Sequence, residues 1–371
     1  MQGFGLLQRA GDHQSYSAGQ IIFKEGQPGD VMYVVIDGEV SVTVEGRPID
    51  YLKAGSILGE MALVDDRPRS ATATAATDCK LVLIDHERFT SLVQHFPDFA
   101  VQVMNVMSFR LRRLLDEEIK RQRLEEELAI GRQIQLSLLP ARCPEIPGWE
   151  FTAVYRAARQ VGGDLYDFIA SPDDPRCLSI VIADVTGKGI PAALFMAFSR
   201  TIIRAESRSG RNPAALLQRA NQFILQDIHY RLFLSAFYAT LDSDSGRLVY
   251  ANGGHDWPLW LRAGTGEIET LAAPGLLLGV FQDVRLEERE IMVAPGDFLI
   301  FYTDGVTEAR NAVGELFGEE RLAETVKATV PTSADHLLRA IVNAVENFTG
   351  ATPRADDFTL VIVKRLEQNP I

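Results

Sequence analysis

Apolar positions change their period three times along the chain. Across residues 1–85 the runs QIIF, VMYVVI, EVSVTV, SATATA and KLVLI are short, rich in β-branched and aromatic residues, and separated by GQPG, DG and EGRP. Such spacing predicts strands joined by turns, an all-β module. After Asp85 the apolar positions are Phe89, Leu92, Val93 and Phe96, a helical spacing, and Pro97 separates that helix from the next. From Asp98 to Leu139 there is no proline and Gly131 is the only glycine, so one long helix is permitted. Met104, Met107, Leu111, Leu114, Ile119, Leu124 and Leu128 form a broken seam along it, interrupted by Glu118 and Arg121. The seam admits a two-stranded coil, hence a homodimer, or a single solvated connecting helix. PARCPEIPG stops the helix. Beyond it, strand-like runs (LSIVIAD, SAFYATLD, RLVYANGG, GDFLIFYTDG, DFTLVIVKR) mix with helical ones (PAALFMAFSRTIIRAES, PAALLQRANQFILQDI, ADHLLRAIVNAVENF). Strict βαβ alternation is absent, which favours α+β over α/β. The pattern thus divides the chain into 1–97, 98–140 and 141–371.

Composition refines this picture in three places. The 371 residues are 46% hydrophobic and 23% charged, the balance of folded protein and enough for two domains. The net charge of −13 is uneven: residues 1–100 carry 8 basic and 14 acidic side chains, 101–140 carry 7 and 6, and 141–371 carry 22 and 30. An acidic chain argues against nucleic acid as a partner, and the near-neutral middle sets the helix apart. Cys79, Cys143 and Cys177 give neither a disulfide framework nor a CxxC pair, which suits a reducing, cytoplasmic setting. The first residues lack a cationic patch ahead of an apolar core and no run of about 18 apolar residues occurs, so neither secretion nor a membrane span is expected.

Candidate chemistry in the first module lies between Gly59 and Ala71, GEMALVDDRPRSA. A short helix start and a guanidinium can neutralise a phosphate, while a carboxylate accepts from a sugar hydroxyl. Arginine suits the phosphate because its planar fork bonds two oxygens. A Glu and an Arg nine residues apart would by themselves be read as a surface ion pair. The stretch resembles the phosphate-binding cassette of cyclic-nucleotide-binding domains, and FKEGQPGD, MYVV and DGEV upstream fit that family's β-roll. The resemblance implies that Glu60 meets a ribose hydroxyl, Arg69 the cyclic phosphate, and Gly59, Ser70 and Ala71 line the cassette. The expected ligand is cAMP or cGMP; a ligand-free structural roll is the alternative.

In the last module carboxylates recur at strand edges, with glycine close by in the first three: VGGDLYD with Asp164, IADVTGKG with Asp184, FYTDG with Asp304, and RADDFT with Asp356 and Asp357. Each Asp-Gly alone reads as a turn. Together they offer hard oxygen donors to Mn2+ or Mg2+, in a convergence that is costly unless a cation neutralises it. DVTGKG fails as a phosphate loop of the Walker type, since Ile182 and Gly189 stand where Gly and Ser or Thr are needed. These blocks, with ELAIGRQIQLSLLP, NGGH, Gly279-Val280 and YTDGVTE, resemble the SpoIIE-type (RsbU-like) branch of the PPM protein serine/threonine phosphatases. The resemblance implies an α-β-β-α sandwich with two metal ions. Asp164, Asp184, Asp304 and Asp356 would be the catalytic ligands, with Asp184 bridging and the Val185 carbonyl beside one ion. A two-metal-activated water would attack the phosphoryl group. The family pattern favours Asp356 over Asp357. His255 of NGGH reads as a packing residue more readily than a proton donor, and no general acid is assigned.

The combined expectation is a multi-domain chain: an N-terminal all-β roll of cyclic-nucleotide-binding type, a long helical linker, and a C-terminal α+β phosphatase sandwich. Its expected substrate is a phosphoserine or phosphothreonine protein, by family inference an anti-sigma-factor antagonist of the STAS type. Ligand would alter helix register or dimer geometry and so complete the metal site. A catalytically silent phosphoprotein-binding scaffold, a DNA-binding regulator and a nucleotide cyclase are the rivals. The four ordered acidic blocks and the acidic C-terminal part fit each of these less well.

Overall fold

The structure, a computed structural model, describes residues 13–64, 67–210, 212–227 and 232–367. The chain divides into two compact units, residues 1–123 and 124–371. The first contains β1 (His13–Tyr16), β2 (Ile21–Phe23), β3 (Val31–Asp37), β4 (Glu39–Val44), β5 (Arg47–Lys53), β6 (Ile57–Leu58), α1 (Met61–Val64), β7 (Thr72–Ala75), β8 (Cys79–Asp85) and α2 (His86–His95). A 42-residue helix, α3 (Pro97–Leu138), follows, and the division between units falls inside it.

Two antiparallel sheets, ordered β1-β8-β3-β6 and β2-β7-β4-β5, make the roll. The continuous apolar run of β3 follows from burial on both faces. Tyr33 and Val35 join Val40, Ala73, Ala75 and Leu81 in one core cluster, while Met32 and Val34 pack with Ile84, Phe99 and Val103, the last two on α3. Asp85 caps α2, its side chain accepting from Arg88 N–H at 2.8 Å. The sequence pattern missed β1, β5 and β6. β5 (RPIDYLK) contains a proline and polar residues because it is a sheet edge, exposed at most positions.

The second unit adds β9 (Trp149–Arg156), β10 (Leu165–Ala170), β11 (Cys177–Val185), α4 (Ile190–Ser207), α5 (Pro213–Asp227), β12 (Leu234–Asp242) and β13 (Arg247–Gly253). Then come β14 (Leu259–Leu261), β15 (Ile268–Thr270), β16 (Glu288–Met292), β17 (Phe298–Tyr302), α6 (Asp304–Thr307), α7 (Gly318–Thr329), α8 (Ala334–Thr349) and β18 (Phe358–Arg365). Two five-stranded antiparallel sheets, β10-β11-β12-β13-β16 and β15-β14-β17-β18-β9, pack face to face. Strand alternation on β17 sends Leu299 and Phe301 into the core shared with the first sheet, and Phe298, Ile300 and Tyr302 into a second core under α7 and α8. Helices α4 and α5 cover the other side of the first sheet. The result is the expected α-β-β-α sandwich, built of meandering strands rather than βαβ units.

Candidate functional site

Strand ends of the second unit deliver the acids to one place. Asp184 is the penultimate residue of β11, Asp304 opens α6 immediately after β17, and Asp356 precedes β18. Asp184, Asp304 and Asp356 line a cavity of about 360 Å³ together with Val185, Lys188, Ser235, His255 and Asp256. Asp164 lies just before β10, buried, and one of its oxygens accepts from Thr303 Oγ1 at 2.6 Å and Thr359 Oγ1 at 2.5 Å. Gly163 has no side chain because a Cβ there would stand 2.8 Å from the Val185 carbonyl oxygen.

Burial and mutual repulsion show in the acids' proton affinities. Asp164 is held well above the usual carboxylate range by burial and by Asp184, against the pull of the two threonine hydroxyls. Burial, then Asp304, pushes Asp184 up to about 7. Burial, then Asp356, pushes Asp304 up to about 6. Asp256, which sequence reading did not single out, is raised by burial and by Glu319 and Glu308. Asp357 acts on the backbone instead. Its carboxylate accepts from Ala158 N–H at 2.7 Å and Gly163 N–H at 2.5 Å, tying down the loop that carries Asp164. It therefore does not compete with Asp356 for the cavity.

Among the described residues no three His, Cys, Asp or Glu side chains already form a cage for a metal ion. The donor set nonetheless fits one. It offers hard carboxylate and carbonyl oxygens, clustered so that they repel each other, and a glycine leaves room beside the Val185 carbonyl. The local counter-charge is Lys188, whose Nζ stands 2.6 Å from Asp356 Oδ2.

His255 is buried, and burial pushes its imidazole down to about 4. Its Nε2 faces the Tyr302 carbonyl at 3.1 Å and so carries the hydrogen; Nδ1, 2.7 Å from Ser235 Oγ, accepts from that hydroxyl. Ser235 is the direct cross-strand partner of Asp184. His255 orients a hydroxyl beside the acids, and its Nε2 hydrogen is spent on the Tyr302 carbonyl.

At the helical entrance to the second unit, Gln135 makes a two-way clamp on Gly162. Its Nε2 donates to the Gly162 carbonyl at 2.5 Å, and its Oε1 accepts from Gly162 N–H at 3.0 Å. The last turns of α3 thereby hold the loop leading to Asp164.

In the first unit, Glu60 and Arg69 are both buried. The Arg69 guanidinium lies 4.4 Å over the Phe23 ring and donates to the carbonyls of Gly59 (2.9 Å) and Val31 (2.7 Å), while its buried Nε has no partner. Gly29 and Gly59 make room for it, since a Cβ at either would collide with guanidinium nitrogens. A buried cation with an unspent donor suits an anionic ligand. Ala71 is buried and Ser70 exposed, its hydroxyl 3.8 Å from Met61 Sδ. Asp65 and Asp66 of the cassette lie outside the described residues. Glu60 is paired with Arg110 of α3, which also donates to the Ile57 carbonyl at 2.6 Å. No motif marks Arg110; its pairing is visible only in three dimensions.

Two family models match the chain: "Stage II sporulation protein E (SpoIIE)" over residues 174–366 and "Cyclic nucleotide-binding domain" over residues 13–96. Phosphoserine phosphatase RsbU of Bacillus subtilis (strain 168) is 28% identical over 273 residues, covering 74% of this chain and 80% of that protein. Protein IcfG of Synechocystis sp. is 30% identical over 286 residues, covering 70% of this chain but only 44% of that protein. Among solved structures, the SiaA-PP2C domain of Pseudomonas aeruginosa matches with a TM-score of 0.59 and 21% identity, over 67% of this chain and 98% of that one, a likeness of fold.

Proposed function

We propose a function from one premise: this chain belongs to the stage II sporulation protein E (SpoIIE) family. It is a PPM-type protein serine/threonine phosphatase with an N-terminal cyclic-nucleotide-binding domain. The observation that carries the reading is the cavity where Asp184, Asp304 and Asp356 converge over buried Asp164. In our reading these four acids and the Val185 carbonyl hold two Mn2+ or Mg2+ ions. When bound, the ions would supply an acidified water as nucleophile and neutralise the phosphoryl oxygens. The chain's own residues do the positioning: Thr303 and Thr359 fix the Asp164 carboxylate, Asp357 and Gln135 fix its loop, and His255 fixes Ser235 beside Asp184. The substrate we propose is a phosphoserine or phosphothreonine on a STAS-type protein, in a cytoplasmic setting; among the described residues no helix is long and apolar enough to cross a membrane.

For regulation we propose that cAMP or cGMP binds at Arg69 and Glu60 and acts through α3. Two contacts support this, one within each unit: Glu60 with Arg110 near one part of the helix, and Gln135 with Gly162 near its end. Homodimerisation through α3 is supported by Leu111, Leu114, Ile119 and Leu124, which are exposed along the helix. The test is turnover of a phosphoserine peptide by the full chain with Mn2+, with and without saturating cAMP or cGMP. Turnover is expected to depend on Mn2+ and to change with one nucleotide. Equal rates with either nucleotide and without remove the regulatory reading; no Mn2+-dependent turnover removes the enzymatic one. Arg69→Leu should weaken nucleotide binding, read by calorimetry, by about tenfold or more, the worth of one charge-assisted hydrogen bond.

A further inference from the structure

We infer that Lys188, which pairs with Asp356, is the cation that grips the substrate's phosphoryl group. This deepens the phosphatase reading and depends on it. Lys188 Nζ stands 2.6 Å from Asp356 Oδ2 and donates to the Ala355 carbonyl at 2.5 Å. The side chain is part exposed and springs from a short loop between Gly187 and Gly189, at φ +93° and +79°, with nothing crowding either glycine. It lines two cavities at once: the acidic one, and a second of about 240 Å³ that also reaches Asp356.

The second cavity gathers four cations, in a chain of net charge −13, against the three acids Glu308, Glu346 and Asp356. Arg156, Arg310 and Arg354 line it beside Lys188; Arg156 and Arg354 share a single carboxylate, Glu346, and Arg310 donates to the Gly314 carbonyl. Cations placed beside a cluster of metal-seeking acids suit a phosphomonoester, whose phosphoryl oxygens need both.

The position of Lys188 follows from competition. An ammonium on Asp356 Oδ2 and a divalent ion on the same carboxylate would repel each other, so metal binding would weaken the Lys188–Asp356 pair. The flexible lysine stem then leaves a compact, hydrated point charge at the junction of the two cavities, where a phosphoryl oxygen arrives. A lysine serving only to strap the loop after β11 to the loop before β18 would behave differently. Its loss would loosen Asp356 and weaken metal binding.

The two roles therefore predict opposite signs, which Lys188→Gln separates. Calorimetric titration of the metal-free full chain with Mn2+ is expected to give about threefold or more tighter binding in Lys188→Gln than in wild type. Titration of the Mn2+-loaded chain with inorganic phosphate is expected to give about tenfold weaker binding, partly rescued by Lys188→Arg. Turnover of a phosphoserine peptide should lose more in KM than in kcat. Mn2+ binding that is unchanged or weaker in Lys188→Gln, or phosphate binding that is unchanged, overturns the inference. Wild type that shows both binding shifts against the variant yet hydrolyses no phosphoserine leaves the Lys188 assignment standing and removes the phosphatase reading instead.

Discussion

Asp184→Asn is expected to lower Mn2+-dependent turnover of a phosphoserine peptide by about a thousandfold or more, since stabilisation worth several kcal/mol is lost and each 1.36 kcal/mol is about tenfold in rate. The substitution keeps the shape of the side chain, so what is removed is charge. Asp184 stands between buried Asp164 and cavity-lining Asp304, with Ser235 opposite it on β12. Loss of its charge relieves repulsion that burial has made severe. The metal-free variant should therefore melt higher than metal-free wild type, while Mn2+ should raise its melting temperature less. A structural aspartate would give the reverse, a lower melting temperature without metal and a proportionate loss of activity. Turnover within tenfold of wild type would remove Asp184 from the site.

What the sequence made legible depended on whether a feature was local. The long helix was visible because a run without proline and with one glycine has few other readings, and α3 occupies Pro97–Leu138. Strands buried on one or both faces, such as β3, β11 and β17, were visible as apolar runs; edge strands such as β5 and the short β14–β16 were not. Asp164 and Asp304 were legible as Asp beside Gly at a strand end, and Asp184 and Asp356 as acids at the ends of apolar strand runs, because the strand and the turn are both local. Their supports were not. Thr303 and Thr359 reach Asp164 from 139 and 195 residues away, and Ser235 faces Asp184 only through the register of β11 on β12. Asp356 and Asp357 are chemically alike and adjacent; what separates them is that backbone N–H groups of residues 158 and 163 use up the second. Lys188 lies in DVTGKG, which lacks the Gly and Ser or Thr of a Walker-type phosphate loop, and its pairing with Asp356 depends on a contact across 168 positions.

The second large effect expected is that Mn2+ affinity falls by about a thousandfold between pH 8 and pH 5. Asp184 is pushed up to about 7 and Asp304 to about 6, so an incoming ion must displace one proton from Asp184 below about pH 7 and a second from Asp304 below about pH 6, besides the proton held by Asp164, which burial and Asp184 keep well above the usual carboxylate range. Each displaced proton costs about tenfold in affinity per pH unit. The same shifts fix the sign for stability without metal. Both acids have folded values above the unfolded one of 3.8, so the native state binds more protons and its stability falls as pH rises through the folded values. His255 works the other way: with a folded value of about 4 against 6.5, it adds stability as pH rises between those limits. From pH 6.5 to 8 the unfolded imidazole is still losing its proton and offsets about half of the roughly 0.8 kcal/mol that Asp184 costs, so the metal-free chain should lose about 0.5 kcal/mol net. Saturating Mn2+ should cancel that loss at pH 8. Calorimetry in buffers of different ionisation enthalpy reads the displaced protons directly: at least about one per chain is expected near pH 6.5 and at least about two near pH 5.5, with Asp164 adding to both. Proton-independent Mn2+ binding, or metal-free stability that rises from pH 6.5 to 8, would mean that these carboxylates are not the ligands of the ion.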